Sequence, residues 1–214
     1  ASWNDIKSKG LGLDGCLQMS FQLAHYRLFG KTVSTYESAN QSAYKHGRTE
    51  TIRSATVESD TMCKVFFDKN STRQQKEEAL RTAVANHGRL TKEALMGKGW
   101  DRHMFALKYE AKQQGMKLHP IYEDVSYQKL SEIIMSTSTL SSPNIDGGGF
   151  GPVGPNCFGI GYTSGRLRGV EDPALEGVEG FASSIMSYTT RNTAEFRDSM
   201  RDSLTDIMAV LDGK

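Results

Sequence analysis

Residues 135–143, MSTSTLSSP, carry hydroxyl side chains at Ser136, Thr137, Ser138, Thr139, Ser141 and Ser142 with hardly an apolar residue among them. In a strand, Ser136 and Ser138 project from the same face because side chains alternate with a period of two. Two hydroxyls on one face, at a strand end beside glycines, can donate hydrogen bonds to an oxyanion or grip a polar substrate. No activating base lies nearby in sequence, which argues against either serine as a nucleophile. A surface strand with cross-strand Ser/Thr pairs describes the same residues equally well.

Two further stretches concentrate polar chemistry. KHGRTETIR, residues 45–53, would in extended form throw Arg48 and Glu50 to one face and Thr49 and Thr51 to the other. That division suits a site in which one face fixes a carboxylate-bearing ligand while the other knits the backbone; a salt-bridged edge strand has the same pattern. GWDRHMFALK gathers Asp101, Arg102 and His103 at a helix start, where helix-end amides and a guanidinium could receive an anion. Read alone, it is also a helix cap followed by a surface Arg. The glycine-rich stretch 147–162, GGGFGPVGPNCFGIGY, lacks the Lys-Ser/Thr ending of a phosphate loop and points instead to close backbone approach to a ligand or another strand.

The elements that must hold these residues follow from periodicity. Leu17, Phe21, Ala24 and Leu28 mark a helix over 16–29 that stops at Gly30, and KTVSTYES reads as a strand. Leu80, Ala83 and Val84 predict a surface helix over 72–86 ending near Gly88, with a second short helix at 91–96. A third helix runs from Asp101 as N-cap to Gln114, with Met104, Leu107 and Ala111 facing inward. Strands are expected at 133–138, 158–163 and 181–188. Asn192 and Glu195 then cap a last helix with Phe196, Met200, Leu204, Ile207 and Leu211 on one face. The result is an α/β or α+β sheet packed by helices on at least one face, with GRLRGVEDPALEGVEG as an excursion from it.

Composition bounds the rest. The 214 residues are 37% hydrophobic with a formal net charge of +1, enough for a real core and without the basic clustering that nucleic acid demands. Cys16, Cys63 and Cys157 are widely spaced with no CxxC pair and no neighbouring His, so neither a disulfide framework nor a metal site is expected and a reducing compartment is. No apolar run approaches the ~20 residues of a membrane-spanning helix.

TYES, GRTETIR, LTKEALMGKGWDRH, STSTLSSP and GGFGPV…FGIGY, in this order and at these intervals, resemble the C-terminal half of the choline/carnitine acyltransferases. The resemblance runs from about residue 16 to the final helix. It implies a chloramphenicol acetyltransferase-like α/β fold, a mixed sheet flanked by helices, in which two similar halves enclose a tunnel. It implies acyl transfer between CoA, a co-substrate rather than a bound cofactor, and the hydroxyl of L-carnitine. In the family a His deprotonates that hydroxyl for attack on the thioester. By resemblance Ser138 is the oxyanion donor and Ser136 a carnitine contact. Tyr36, Ser38, Thr49 and Arg102 match the residues that hold the carnitine carboxylate, and Phe150 the aromatic that meets the trimethylammonium. The Thr49-Glu50-Thr51 triplet with Arg102 is the pattern of carnitine rather than choline enzymes. Gly148 falls where short-chain members carry a bulky side chain, which implies a long acyl chain such as palmitoyl, and with it mitochondrial fatty-acid oxidation at the matrix side of the inner membrane.

The departures from the family are as informative. The family's catalytic His, followed four residues later by Asp, has no counterpart here: His25 is followed at that offset by Phe29 and His46 by Glu50. Arg48, which resembles the residue that pairs with that Asp, lacks its partner. The family's Lys-rich approach to CoA is represented by IKSKGLGLD, in which Lys7, Lys9 and Asp14 are the candidate CoA contacts but Gly12-Leu13 replaces Ser-Pro. The expectation is therefore a half-enzyme, residues 1–214, inactive without its His-bearing half, through which membrane association would also come. A free-standing carnitine or acyl-CoA binding module is the other reading.

Overall fold

A computed structural model describes residues 3–139, 144, 148–168, 170 and 173–213. The elements in chain order are α1 (Trp3–Ser8), α2 (Leu13–Phe29), β1 (Thr35–Asn40), β2 (Thr49–Ile52), α3 (Val57–Phe67), α4 (Arg73–Leu95), α5 (Asp101–Gln113), α6 (Val125–Ser131), β3 (Met135–Thr139), β4 (Phe158–Arg166), β5 (Glu179–Met186) and α7 (Thr193–Leu211). The strands form one mixed sheet in the order β2-β1-β3-β4-β5. The inner strands β1, β3 and β4 are parallel, and β2 and β5 pair antiparallel at the two edges. This is the mixed sheet flanked by helices expected from the sequence.

Helix α2 organises the interior. Every residue from Gly15 to His25 is buried, because the helix has neighbours on both sides. Leu17, Phe21 and Ala24 pack on Met135, Phe158, Ile160 and Tyr162 of the sheet. Cys16, Met19 and Leu23 face the outer helices through Met62, Leu80, Val84 and Ile207. Two glutamines on α2 tie it to the strands. Gln18 donates to the Thr137 and Tyr162 hydroxyls at 2.9 and 3.2 Å, and Gln22 donates to Val33 O and Thr35 Oγ1 while accepting from Val33 N.

Three expectations are corrected. Residues 72–86 and 91–96 are one helix, α4, which runs straight through Gly88. Glycine costs only about 1 kcal/mol inside a helix, and burial of Leu80, Ala83, Val84, His87 and Ala94 outweighs it. Asp101 is the first residue of α5 rather than its N-cap; Trp100 holds that position and makes no side-chain cap. Met104, Leu107 and Ala111 do not face a core, since no residue of α5 is buried. The excursion between β4 and β5 contains a short turn of 3-10 helix, Pro173–Leu175; residues 169, 171 and 172 of it, like Ser141 and Ser142, lie outside the described residues. The three cysteines are free and buried, and none of the described helices is long and apolar enough to cross a membrane.

A buried polar network lies between α2, α4 and the sheet. His87 Nε2 is 2.8 Å from Glu37 Oε2, and the Tyr162 hydroxyl donates to Asp14 at 2.6 Å. Burial pushes the Glu37 carboxyl up to about 7 against the opposing pull of its hydrogen bond to His87, with the Asp14 charge pushing it further up. Burial would lower His87, but the Glu37 hydrogen bond and the Glu37 and Asp14 charges more than offset it and leave it raised. Both groups thus keep protons in the folded state that the unfolded chain releases sooner. For Glu37 the associated stability is fully present below its unfolded value of 4.5 and is lost as pH rises through about 7. Glu37→Gln keeps a partner for His87 without the buried charge. We expect it to melt above the native protein at pH 8, with the gap closing toward pH 5, as thermal denaturation at the two pH values would measure.

Candidate active site

The alternation of the strands sorts their side chains between two faces. Thr35, Glu37 and Ala39 of β1, Met135 and Thr137 of β3, and Phe158, Ile160 and Tyr162 of β4 are buried on the face that α2 and α4 cover. The opposite face receives Tyr36, Ser38, Ser136 and Ser138. Register aligns them into rows: Tyr36 beside Ser136 beside Gly159, and Ser138 beside Gly161. On the β2 side Ser38 is paired with Thr51, and Asn40 with Thr49, so both threonines join the open face.

Glycines at positions 159 and 161 of β4 make room for the preceding loop. A Cβ on Gly159 would lie 2.8 Å from Phe150 O, and one on Gly161 would lie 2.8 Å from Gly148 O and 3.1 Å from Gly149 Cα. Ser184 Oγ of β5 donates to Gly148 O at 3.0 Å and holds the loop from the other side. Residues 148–151 therefore rest directly on the strand backbone, next to the row that carries Ser136 and Ser138.

Arg102, on the first turn of α5, reaches this face from the β2 edge. Its Nη2 donates to the Tyr36 hydroxyl at 2.8 Å and to Thr49 Oγ1 at 3.5 Å, and its guanidinium lies 5.4 Å from the centre of the Tyr36 ring. The nearest carboxylate contact described for it is Asp101 Oδ1 at 4.0 Å. The two carboxylates close by are otherwise engaged. Asp101 is hydrogen-bonded by Arg53 Nε at 2.9 Å and by Thr51 Oγ1 at 3.2 Å. Glu50 Oε1 accepts the Thr51 and Arg102 backbone amides at 2.7 and 3.2 Å. The guanidinium thus donates to neutral hydroxyls, has no close bidentate carboxylate partner among the described residues, and is half open to solvent.

Of the residues singled out from the sequence, the fold thus brings together Tyr36, Ser38, Thr49, Arg102, Ser136 and Ser138, with Phe150 and Gly148 on the adjoining loop. Arg48 lies just before β2 and is exposed. The Arg102 amide at the start of α5 is not free to receive an anion as the sequence suggested, because Glu50 occupies it. Lys7, Lys9 and Asp14 lie elsewhere, at the junction of α1 and α2. Lys9 pairs with Asp212 at 3.4 Å, and Asp14 borders a groove of about 790 Å³ shared with Arg81, His87, Arg89 and Lys92. Asp14, Glu37 and His87 also bring potential ligand atoms within 4.8 Å of one another, a spacing compatible with a metal ion, although Glu37 and His87 are already hydrogen-bonded to each other. His25 and His87 are buried on the covered side of the sheet, His25 against Lys31 O at 2.8 Å with burial lowering it to about 4. The close backbone approach expected over 147–162 occurs at Gly159 and Gly161, where the neighbour is the preceding loop rather than another strand.

Ser138, the buried Ser136 and the half-exposed Arg102 thus line one face of the sheet of a mixed α/β domain. Among known proteins, the model of the choline/carnitine O-acyltransferase family matches residues 2–171, and the chain belongs to that family. It is 41% identical over 211 residues to the mitochondrial carnitine O-palmitoyltransferase 2 of Xenopus tropicalis, and 40% identical over 212 residues to that of Homo sapiens. It is 34% identical over 205 residues to the carnitine O-acetyltransferase of Homo sapiens. These alignments take in 96–98% of the chain but only 30–31% of each relative.

The glycine bed is open to direct test. Gly159→Ala should force the loop carbonyl of Phe150 aside and cost about 1–3 kcal/mol as an overpacked contact. Gly154→Ala, where an added Cβ meets nothing within 4 Å, should stay within about 0.5 kcal/mol of the native protein. Chemical denaturation of the two variants side by side checks the difference.

Proposed function

We propose that this chain is the C-terminal half of a mitochondrial carnitine long-chain acyltransferase, which moves palmitoyl-type groups reversibly between CoA and the hydroxyl of L-carnitine. The observation that carries the reading is the half-exposed guanidinium of Arg102, hydrogen-bonded to Tyr36 and Thr49 on the same sheet face as Ser136 and Ser138. Carnitine presents a carboxylate, a hydroxyl and a trimethylammonium, and this face offers a partner for each.

In this reading Arg102, Tyr36, Thr49 and Ser38 hold the carboxylate. Phe150 meets the trimethylammonium, a cation–π contact of roughly 0.5–2 kcal/mol, and Ser136 contacts carnitine beside it. A general base deprotonates the carnitine hydroxyl, which attacks the thioester carbonyl. The tetrahedral oxyanion is stabilised by the hydrogen that Ser138 donates, and collapse expels the CoA thiolate. Gly148 leaves the acyl tunnel open to a long chain, and Lys7, Lys9 and Asp14 contribute to the CoA side. The base and the Asp partner of Arg48 belong to the rest of a longer polypeptide, as does any contact with the inner membrane. Phe105 and Tyr109, exposed one turn apart on α5, support this division, since exposed aromatic side chains suit cover by further protein.

In the full-length polypeptide, Ser138→Ala should lower kcat on the order of 10²–10³-fold, the effect of removing one oxyanion donor, with little change in KM for carnitine. The isolated 214-residue chain should show no palmitoyl-CoA:carnitine transfer. Steady turnover by that chain alone would place the base among its own five histidines and overturn the half-enzyme reading.

A further inference from the structure

Helix α5 is attached to the body of the protein mainly through its first turn. No residue from Asp101 to Gln113 is buried, and the N-cap residue Trp100 supplies no side-chain acceptor to the free amides. Glu50, from the edge strand β2, supplies one. Its side chain points away from Thr49 and Thr51, is only 4% exposed, and through Oε1 alone accepts the amides of Thr51 and Arg102. A carboxylate at a helix N-terminus is favoured by the helix dipole as well as by the hydrogen bond. The chain entering α5 passes immediately over it: a Cβ on Gly99 would lie 2.3 Å from Glu50 Cγ and 2.5 Å from Cδ. Arg53 and Thr51 hold Asp101 next door, completing a polar latch in place of an apolar one.

We infer that Glu50 is a positioning residue: it caps α5 from another strand and so fixes where the Arg102 guanidinium meets the carboxylate of the acceptor, which makes it a determinant of selectivity for carboxylate-bearing acceptors. The inference rests on the reading above that Arg102 binds the carnitine carboxylate. Glu50 itself touches no substrate. It is buried on the far side of the strand, and it orients the arginine through the backbone amide of the same residue.

The test uses the full-length enzyme with Glu50→Ala, Glu50→Gln, Gly99→Ala and, as reference, Arg102→Ala. KM and kcat are measured for carnitine, together with the rate toward choline, which keeps the hydroxyl and trimethylammonium but has no carboxylate. Glu50→Ala is expected to raise KM for carnitine about ten- to a hundredfold, as misplacement of a binding group does. KM for palmitoyl-CoA and the low choline rate should not move. Glu50→Gln should recover most of the loss, because its amide oxygen can still accept both N–H groups, and Gly99→Ala should reproduce the defect by displacing Glu50. An unchanged carnitine KM in Glu50→Ala, or equal losses toward carnitine and choline, overturns the inference. If Glu50→Ala does not fold, the Glu50→Gln and Gly99→Ala pair decides by the same signature. Failure of Arg102→Ala to move the carnitine KM would instead refute the carnitine reading itself.

Discussion

The structure depends on the burial of α2 from both sides. A helix sandwiched between a sheet and other helices can carry no polar side chain without a partner, because an unpaired buried donor or acceptor costs about 1–3 kcal/mol. Gln18 and Gln22 meet most of this demand by bonding to Thr137, Tyr162, Thr35 and the backbone at Val33, while Gln18 Oε1 and His25 Nε2 stay buried without a partner. Those bonds fix the helix against three inner strands at once. With that face of the sheet committed to packing, the alternate residues of each strand are left to the opposite face, and these include the hydroxyls and glycines of the candidate site, with Ser136 only 3% exposed.

The same division separates two kinds of electrostatics. On the covered face, His87 pairs with Glu37 and Tyr162 with Asp14, and burial raises Glu37 and Tyr162 together. On the open face, the polar groups around Ser136 and Ser138 are mostly neutral, and the main charge is Arg102 at one edge. Strand β1 carries both sets on successive residues, Glu37 inward and Tyr36 and Ser38 outward. A one-residue slip of this strand would exchange them, so the α2 glutamine bonds at Thr35 protect the site as well as the fold.

Much of this was legible in the sequence. The apolar periods of α2 and α7 located both helices, and the Asn192 cap lies where the motif indicated. The alternation in GRTETIR correctly set Glu50 opposite Thr49 and Thr51, because a period of two is a local property. The errors came where tertiary packing overrides a local signal. Gly88 reads as a stop, yet the burial of His87 and Ala94 on either side of it carries α4 through. The spacing of Met104, Leu107 and Ala111 reads as a core stripe, but periodicity reports amphipathicity and not what the apolar face meets. The partnerships of Gln18 with Thr137 and of His87 with Glu37 join residues 119 and 50 positions apart and leave no trace in either segment.

An arginine is most easily held in place by a carboxylate, and this creates a difficulty wherever its charge is to stay available. The geometry around Arg102 resolves it by holding the residue through its backbone rather than its guanidinium. Glu50 spends its acceptor oxygen on amides, including that of Arg102 itself, and Asp101 spends its charge on Arg53, while the guanidinium donates to the uncharged hydroxyls of Tyr36 and Thr49. Hydroxyls orient a cation without neutralising it, and they can turn to donate to an incoming carboxylate. Two acidic residues can therefore lie beside the arginine and leave its charge available, provided each already has another positive or donor partner. This explains why the edge of the sheet is latched to α5 by charges and amides: an apolar latch would have held the helix equally well but could not have set the arginine by its own N–H.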